Sequence, residues 1–297
     1  MVEYILMKKI LVSGLVNVET SLKVDSFPIN YSPIEYPFFG VDTCVSGVGY
    51  NIAKAIKTLG GEVDLLTLVG DDLLGEMIKK TLSDNHINCS IPYLLKQTPT
   101  SVVLVDREGR RKIYCDLKDT QESEPLDISL DEYSLIALTN INFNRHLLSL
   151  AHEKGIVIAT DVHVLSNIDD EYNKDFMEKA NILFLSNEAI IGREEEFARA
   201  LYKRYHNDII VVGCGESGAL LYEGRNDCFY HQNAIAPKGI VSTVGAGDAL
   251  FSAFIYFYKK SENIEKCLQK AVFFAGLKIS SSGGSNGFVS EEEIEKY

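Results

Sequence analysis

The sequence predicts an α/β fold: a central, mostly parallel sheet with helices on both faces. Three observations carry this. Short apolar runs alternate with segments of helical period, the pattern of successive βαβ units. Two stretches, at about 16–43 and 91–117, break that rhythm with prolines and turn residues and read as short strands. A chain of 297 residues with 46% apolar content can bury one large core without a second independent domain. The whole of 1–297 is therefore read as a single α/β domain carrying two insertions.

In chain order, residues 9–12 (Lys-Ile-Leu-Val) form the first predicted strand. The first insertion follows, with Pro28, Pro33 and Pro37 arguing against helix. A helix at 51–59, a strand at 63–68 and a helix at 74–84 restore the alternation. In the second insertion, strands at 101–105 and 112–115 flank a Glu108-Gly109 turn. Strands at 135–138, 156–159 and 182–185 then alternate with helices at 144–154, 171–180 and 194–205. Two strands, 208–212 and 219–222, precede the helices at 248–258 and 264–280.

A net charge of −13 argues against a nucleic-acid or anionic-membrane binder, since both need basic faces. The six cysteines (44, 89, 115, 214, 228 and 267) contain no Cys-x-x-Cys pair, so zinc knuckles and dithiol redox motifs are not suggested. Reduced thiols are the simplest account. The N-terminal segment has no long apolar core with a small-residue cleavage site, and no run of about 18 apolar residues occurs. A soluble cytoplasmic protein is expected.

The chemistry concentrates at 242–248, Ser-Thr-Val-Gly-Ala-Gly-Asp, which opens a strongly apolar helix. Gly245, Ala246 and Gly247 carry almost no side chain, so their N–H groups, at the positive end of a helix dipole, can approach an anion. Asp248 would compete with an anion that merely bound there; it makes sense as a base taking a proton from an attacking hydroxyl. The plainer reading is helix capping and close packing.

These residues resemble the Asp-Thr-x-Gly-Ala-Gly-Asp signature of the ribokinase-like, or PfkB, family of carbohydrate and nucleoside kinases, with Ser242 in place of the leading Asp. Two further boxes, Ser-Gly-Val-Gly-Tyr-Asn at 46–51 and Gly-Asp-Asp-Leu-Leu-Gly at 70–75, resemble the family's other landmarks in its order and spacing. The resemblance implies that the insertions form a small β-sheet lid over a sugar. It also implies in-line transfer of the ATP γ-phosphoryl group to a primary alcohol. Asp248 would be the base, and the amides of Gly245, Ala246, Gly247 and Asp248 would stabilise the migrating group.

On the substrate side, Gly14-Leu-Val-Asn-Val-Glu19 is similar to the family's Gly-x-x-Asn-x-Asp, pointing to Asn17 and Glu19 as contacts. Glu stands where Asp is usual, which displaces the carboxylate by more than about one ångström. Gly47, Gly49 and Asn51 are further candidates: the glycines allow backbone approach, and an amide serves vicinal hydroxyls as donor and acceptor. A tight turn and a helix cap would explain the same residues. Arg107, Arg110, Arg111 and Lys112 could pair an acidic substrate or simply be solvated. Tyr50, Phe38, Phe39 and Tyr114 could stack on a nucleobase or fill the lid's own core.

For the nucleotide, the resemblance points to Asn187, Gly213, Gly218 and Thr243. The family's Asn-x-x-Glu motif is incomplete, because Ile190 occupies the Glu position; Glu188 or Glu194 could act through water. Magnesium is expected with ATP, its protein ligands unassigned. The loop 280–287 is similar to one that holds a monovalent cation in these kinases; Ser242 removes an expected carboxylate, which leaves potassium open but disfavoured, and a flexible linker is the competing reading of the loop. A homodimer through the lid is expected from the family and from strand edges that need covering. Two other classes stay open. A dinucleotide oxidoreductase lacks its Gly-x-Gly-x-x-Gly after the first strand, and a ribokinase-like binder that signals without transferring phosphate would not need the intact Gly-Ala-Gly-Asp.

Overall fold

The computed structural model describes residues 8–121, 126, 128–260 and 263–296. Its strands are β1 (Lys9–Ser13), β2 (Asn17–Lys23), β3 (Val41–Ser46), β4 (Val63–Leu66), β5 (Val69–Gly70), β6 (Asn88–Ser90), β7 (Leu94–Leu95) and β8 (Thr100–Val105). After these come β9 (Arg111–Asp116), β10 (Tyr133–Thr139), β11 (Val157–Val164), β12 (Ile182–Ser186), β13 (Ile209–Gly213), β14 (Ala219–Glu223) and β15 (Cys228–Gln232). The α-helices are α1 (Val48–Thr58), α2 (Leu73–Asp84), α3 (Arg145–Glu153), α4 (Lys174–Lys179), α5 (Glu194–Tyr205), α6 (Ala246–Lys259), α7 (Ile264–Lys278) and α8 (Glu291–Ile294).

Nine strands form the main sheet in the order β15-β14-β13-β12-β11-β10-β1-β4-β6. Pairing is parallel from β13 to β6, and β14 and β15 add antiparallel at one edge. Side chains alternate across a strand, so a sheet covered on both faces needs apolar residues at successive positions. In β1, Ile10 and Val12 enter the core beneath α1, α6 and α7, while Leu11 enters the core beneath α3, α4 and α5. Leu135 and Ala137 of β10 join the first core, and Ile136 and Leu138 the second. The apolar character of the segment after Asp248 follows from its position: residues 249–257 of α6 are all buried, wedged between the sheet, α1 and α7.

A separate four-stranded sheet, β3-β2-β8-β9, is built from the two insertions. β2 pairs antiparallel with β3 and parallel with β8, and β8 with β9 form a hairpin around the Glu108-Gly109 turn. β3 reaches Ser46, past the expected limit of the first insertion at 43.

Several element boundaries differ from expectation for local reasons. The helix read at 171–180 is confined to Lys174–Lys179, because the Asp170 carboxylate accepts from the Asn173 N–H and holds the preceding residues in a turn. The helix read from 248 starts at Ala246, with Gly245 as its left-handed N-cap at φ 77°. Two edge strands, β6 and β15, are absent from the sequence reading. β6 is only three residues long, and β15 follows β14 through a tight turn with Asp227 at φ 48°, so neither repeats the strand–helix alternation.

Candidate active site

The carboxyl ends of the parallel strands β1, β10, β11, β12 and β13 lie along one rim of the sheet, where an open α/β fold places its ligands. Over this rim stands the first turn of α6. Ala246, Gly247 and Asp248 are its first three residues. The Ala246 N–H is taken by the Thr243 carbonyl at 3.2 Å. Among the described residues, the N–H groups of Gly247 and Asp248 have no backbone acceptor, so two donors at a positive helix end face outward. A Cβ added at Gly247 would meet nothing within 4 Å, whereas one at Gly245 would lie 2.3 Å from the Gly284 carbonyl. Gly247 therefore borders open space, and Gly245 is fixed by packing.

Asp248 Oδ2 accepts from Asn51 Nδ2 at 2.7 Å, a contact between residues 197 apart in the chain. Burial pushes the Asp248 carboxyl pKa up, and the Asn51 bond and the nearby charges of His163 and Lys278 oppose that rise only in part. Among the described residues nothing donates to Oδ1. The group is thus more basic than an ordinary carboxylate and has one oxygen free to take a proton.

Asn17 and Glu19 lie at the start of β2, opposite Ser46 and Cys44 of β3. Asn17 Nδ2 donates to Ser101 Oγ at 2.8 Å, and Ser46 Oγ donates to Glu19 Oε2 at 3.2 Å. Burial pushes the Glu19 pKa up, against the Ser46 bond and the charge of Arg111. Among the described residues, the buried amide oxygens of both Asn17 and Asn51 have no hydrogen-bond partner. Leaving such acceptors unpaired costs about 1–3 kcal/mol each, which a polyhydroxylated ligand would relieve.

A family model for pfkB family carbohydrate kinases matches residues 7–291. The chain belongs to the pfkB family of carbohydrate kinases. It is 24% identical to a ribokinase of Dictyostelium discoideum over 96% of this chain and 98% of that protein. It is 26% identical to a deoxyribokinase of Salmonella typhi over 92% and 93% of the two chains. Among solved structures, a microbiome-derived acarbose kinase superposes with a TM-score of 0.85 at 23% identity, covering 97% of this chain and 98% of that one. The Arabidopsis thaliana ribokinase complexed with ribose and ATP superposes with a TM-score of 0.80 at 18% identity, covering 97% and 98%. These likenesses establish a ribokinase-type fold, and the family implies ATP as the phosphoryl donor.

In this kinase several motif glycines are explained by packing. Cβ atoms at Gly47 and Gly49 would collide with the backbone of Leu15 and Gly14, at 2.5 and 2.7 Å, so the close approach they permit is to the β1–β2 connection. The 70–75 box is likewise architectural: Asp72 caps α2 through the Gly75 N–H at 2.8 Å and receives Thr98 Oγ1 at 2.6 Å, tying the helix to the entry of β8. Gly218, at φ 97°, abuts Gln232 and Ala234 and faces β15. Gly213 ends β13, where an added Cβ would make only ordinary contact with Leu250 of α6, and Thr243 is exposed on the loop before α6. Asn187 closes β12, and its Nδ2 donates to Glu194 Oε1 at 2.9 Å, while Ile190 is buried in the core beneath α5. An Asn–Glu pair is therefore assembled from the first turn of α5, four residues beyond the usual motif position.

The basic cluster divides. Arg107 pairs with Asp25, Arg110 with Asp106 and Glu108, and Lys112 lies over the Tyr114 ring. The charge of Arg111, at the start of β9, is by contrast felt by both Glu19 and Lys278. The sequence reading missed Asp161 and His163, whose charges reach Asp248. Asp161 Oδ1 accepts from the His163 N–H at 2.8 Å, and His163 holds φ at 58°, an unusual conformation for a non-glycine residue. The available signal was an Asp-x-His just beyond the strand predicted at 156–159. It missed Lys278 as well.

Proposed function

We propose that this kinase transfers the ATP γ-phosphoryl group to a hydroxymethyl of a sugar or related small molecule, with Asp248 as the base. The observation that carries the proposal is a carboxylate made more basic by burial and oriented by Asn51, in the same helical turn as the outward-facing N–H groups of Gly247 and Asp248. Asp248 Oδ1 takes the hydroxyl proton as the alcohol oxygen attacks phosphorus and the bond to the ADP oxygen breaks. The two amides and the α6 dipole stabilise charge on the migrating group.

The acceptor is held by Asn17, Glu19 and Asn51, whose two unpaired amide oxygens receive its hydroxyls. The small sheet covers it and excludes water, which disfavours transfer to water. The aromatic residues support a sugar over a nucleoside: Tyr50 is buried in the core, and Phe39 is 99% exposed on the segment preceding β3. ATP lies toward Asn187, Gly213 and Thr243. No three His, Cys, Asp or Glu side chains gather into a metal cage among the described residues. The single Asn187–Glu194 pair fits a magnesium ion that arrives with the nucleotide and keeps its own waters. Glu194 and Asn187 would hold it through those waters, and the ion would neutralise phosphate charge.

The deciding experiment is ATP consumption with magnesium across a panel of sugars, sugar phosphates and nucleosides, with Asp248→Asn as the control. Turnover on one sugar class that disappears in the variant supports the reading. Binding without turnover on every acceptor would mark a binding protein instead.

Removing the Glu19 carboxyl (Glu19→Ala) is expected to raise KM for the acceptor about tenfold or more and to leave KM for ATP within about twofold, since one lost hydrogen bond to a charged group is worth roughly 1.5–3 kcal/mol. Equal effects on both KM values would remove Glu19 from the acceptor site. The segment before β3 exposes Tyr31, Ile34, Tyr36, Phe38 and Phe39. Exposed apolar side chains so close together in the chain support a homodimer through the small sheets. Sedimentation should give a dimer that Phe39→Asp weakens; a monomer at micromolar concentration would count against it.

A further inference from the structure

Lys278, the last residue of α7, is fully buried, yet it forms no salt bridge among the described residues. Its ammonium donates instead to two backbone carbonyls, that of Val244 and that of Gly283 at 2.6 Å. Val244 lies in the loop that leads into the α6 turn, and Gly283 lies in the loop after α7. The same two loops meet again where Gly245 packs on Gly284, and Gly284 in turn packs on the Asn51 amide that holds Asp248. The N–H groups of Val241 and Ser242 are bound to the Ile279 carbonyl at 2.8 and 3.1 Å, next to Lys278 in the chain. Ser242 Oγ accepts from the Val244 N–H at 3.3 Å and is spent on its own turn.

Convergent carbonyls around a single positive charge are the donor set of a hard monovalent cation. Here a side chain already fills that role. The residues therefore do not fit a potassium ion: the two carbonyls are engaged by Lys278, and Ser242 brings no carboxylate. We infer that Lys278 is a positioning residue whose tethered ammonium takes the place of a bound monovalent cation, fixing the α6 amide turn and freeing phosphoryl transfer from any requirement for added potassium. Burial lowers the Lys278 pKa to about 8, against the opposing pull of Asp248 and with help from Arg111, so the amine still carries charge at neutral pH. The kinetic consequence rests on the proposed phosphoryl transfer; the structural one does not.

Two readouts test this. Wild-type turnover should stay within about twofold when choline chloride is replaced by potassium or ammonium chloride at constant ionic strength. Lys278→Ala should lose about a hundredfold in kcat, the scale of one misplaced transition-state donor, and regain at least about tenfold with added potassium or ammonium. Lys278→Met, which keeps volume but leaves no room for an ion, should lose turnover without rescue. Thermal melting supplies the second readout, because it needs no acceptor. Potassium should raise the melting temperature of Lys278→Ala more than choline does, and should not raise that of the wild type.

Strong potassium activation of the wild-type enzyme would overturn the inference. So would a folded Lys278→Ala protein that is fully active, or one that no cation rescues in either readout. An inactive wild-type protein would sink the kinase reading alone, and the melting comparison would still decide the role of Lys278.

Discussion

Asp248→Asn is expected to lower turnover by about two to four orders of magnitude, the usual contribution of a general base, while acceptor and ATP binding persist. The amide keeps the shape of the side chain and still meets Asn51, so the α6 turn should hold its geometry. Stability should move the other way. The folded-state pKa of Asp248 is raised, so the protonated form is the one the fold favours, and stability is lost as pH rises through that pKa. A neutral amide escapes this loss, and at neutral pH the variant should melt no lower than the wild type. For the same reason the acid limb of the wild-type kcat–pH profile should lie above the ordinary carboxylate range, since activity requires the ionised base. Turnover near the wild-type level in Asp248→Asn would end the assignment.

Gly247→Val separates the anion site from the scaffold that supports it. Space around Gly247 is open, so the new side chain can be accommodated without displacing protein, but it stands before the two outward-facing amides. Loss of a preorganised donor of this kind costs about 10²–10³ in kcat, and Gly247→Val should lose at least that much with an unchanged melting temperature. Gly245→Val fails differently. At φ 77°, with the Gly284 carbonyl 2.3 Å from the added Cβ, it must distort both loops. Strain at such a position alone costs about 1–3 kcal/mol, and the clash adds to it, so melting should fall first. Retained phosphoryl transfer in Gly247→Val would show that the amides of this turn do not face the migrating phosphoryl.

Much of this molecule was legible locally. Ile10, Leu11 and Val12 announced a strand buried on both faces, and the run after Asp248 announced a helix enclosed by others. Pro28, Pro33 and Pro37 marked a segment outside the βαβ rhythm. Edge strand β6 was not legible, because a three-residue polar strand owes its conformation to its neighbour's ladder more than to its own side chains, and β15 was not because it follows β14 with no α-helix between them. The Ile190 discrepancy has a similar origin. A spacing rule looks for Glu at one sequence offset, whereas α5 returns Glu194 to Asn187 in space.

The α/β class, the two insertions and the Gly-Ala-Gly-Asp turn at a helix start are written locally in the chain, because periodicity and small-residue signals act over a few neighbouring residues. That Asn51 holds Asp248, that Gly47, Gly49 and Gly218 lie against neighbouring backbone, that Glu19 and Lys278 both feel the charge of Arg111, and that Lys278 joins two loops are visible only in the packed molecule. The Lys278–Val244 contact spans 34 residues and the Asn51–Asp248 contact 197. Contacts across such separations leave no period in the chain; they exist only where the packed sheet and helices bring the groups together, and burial then sets their charge and basicity.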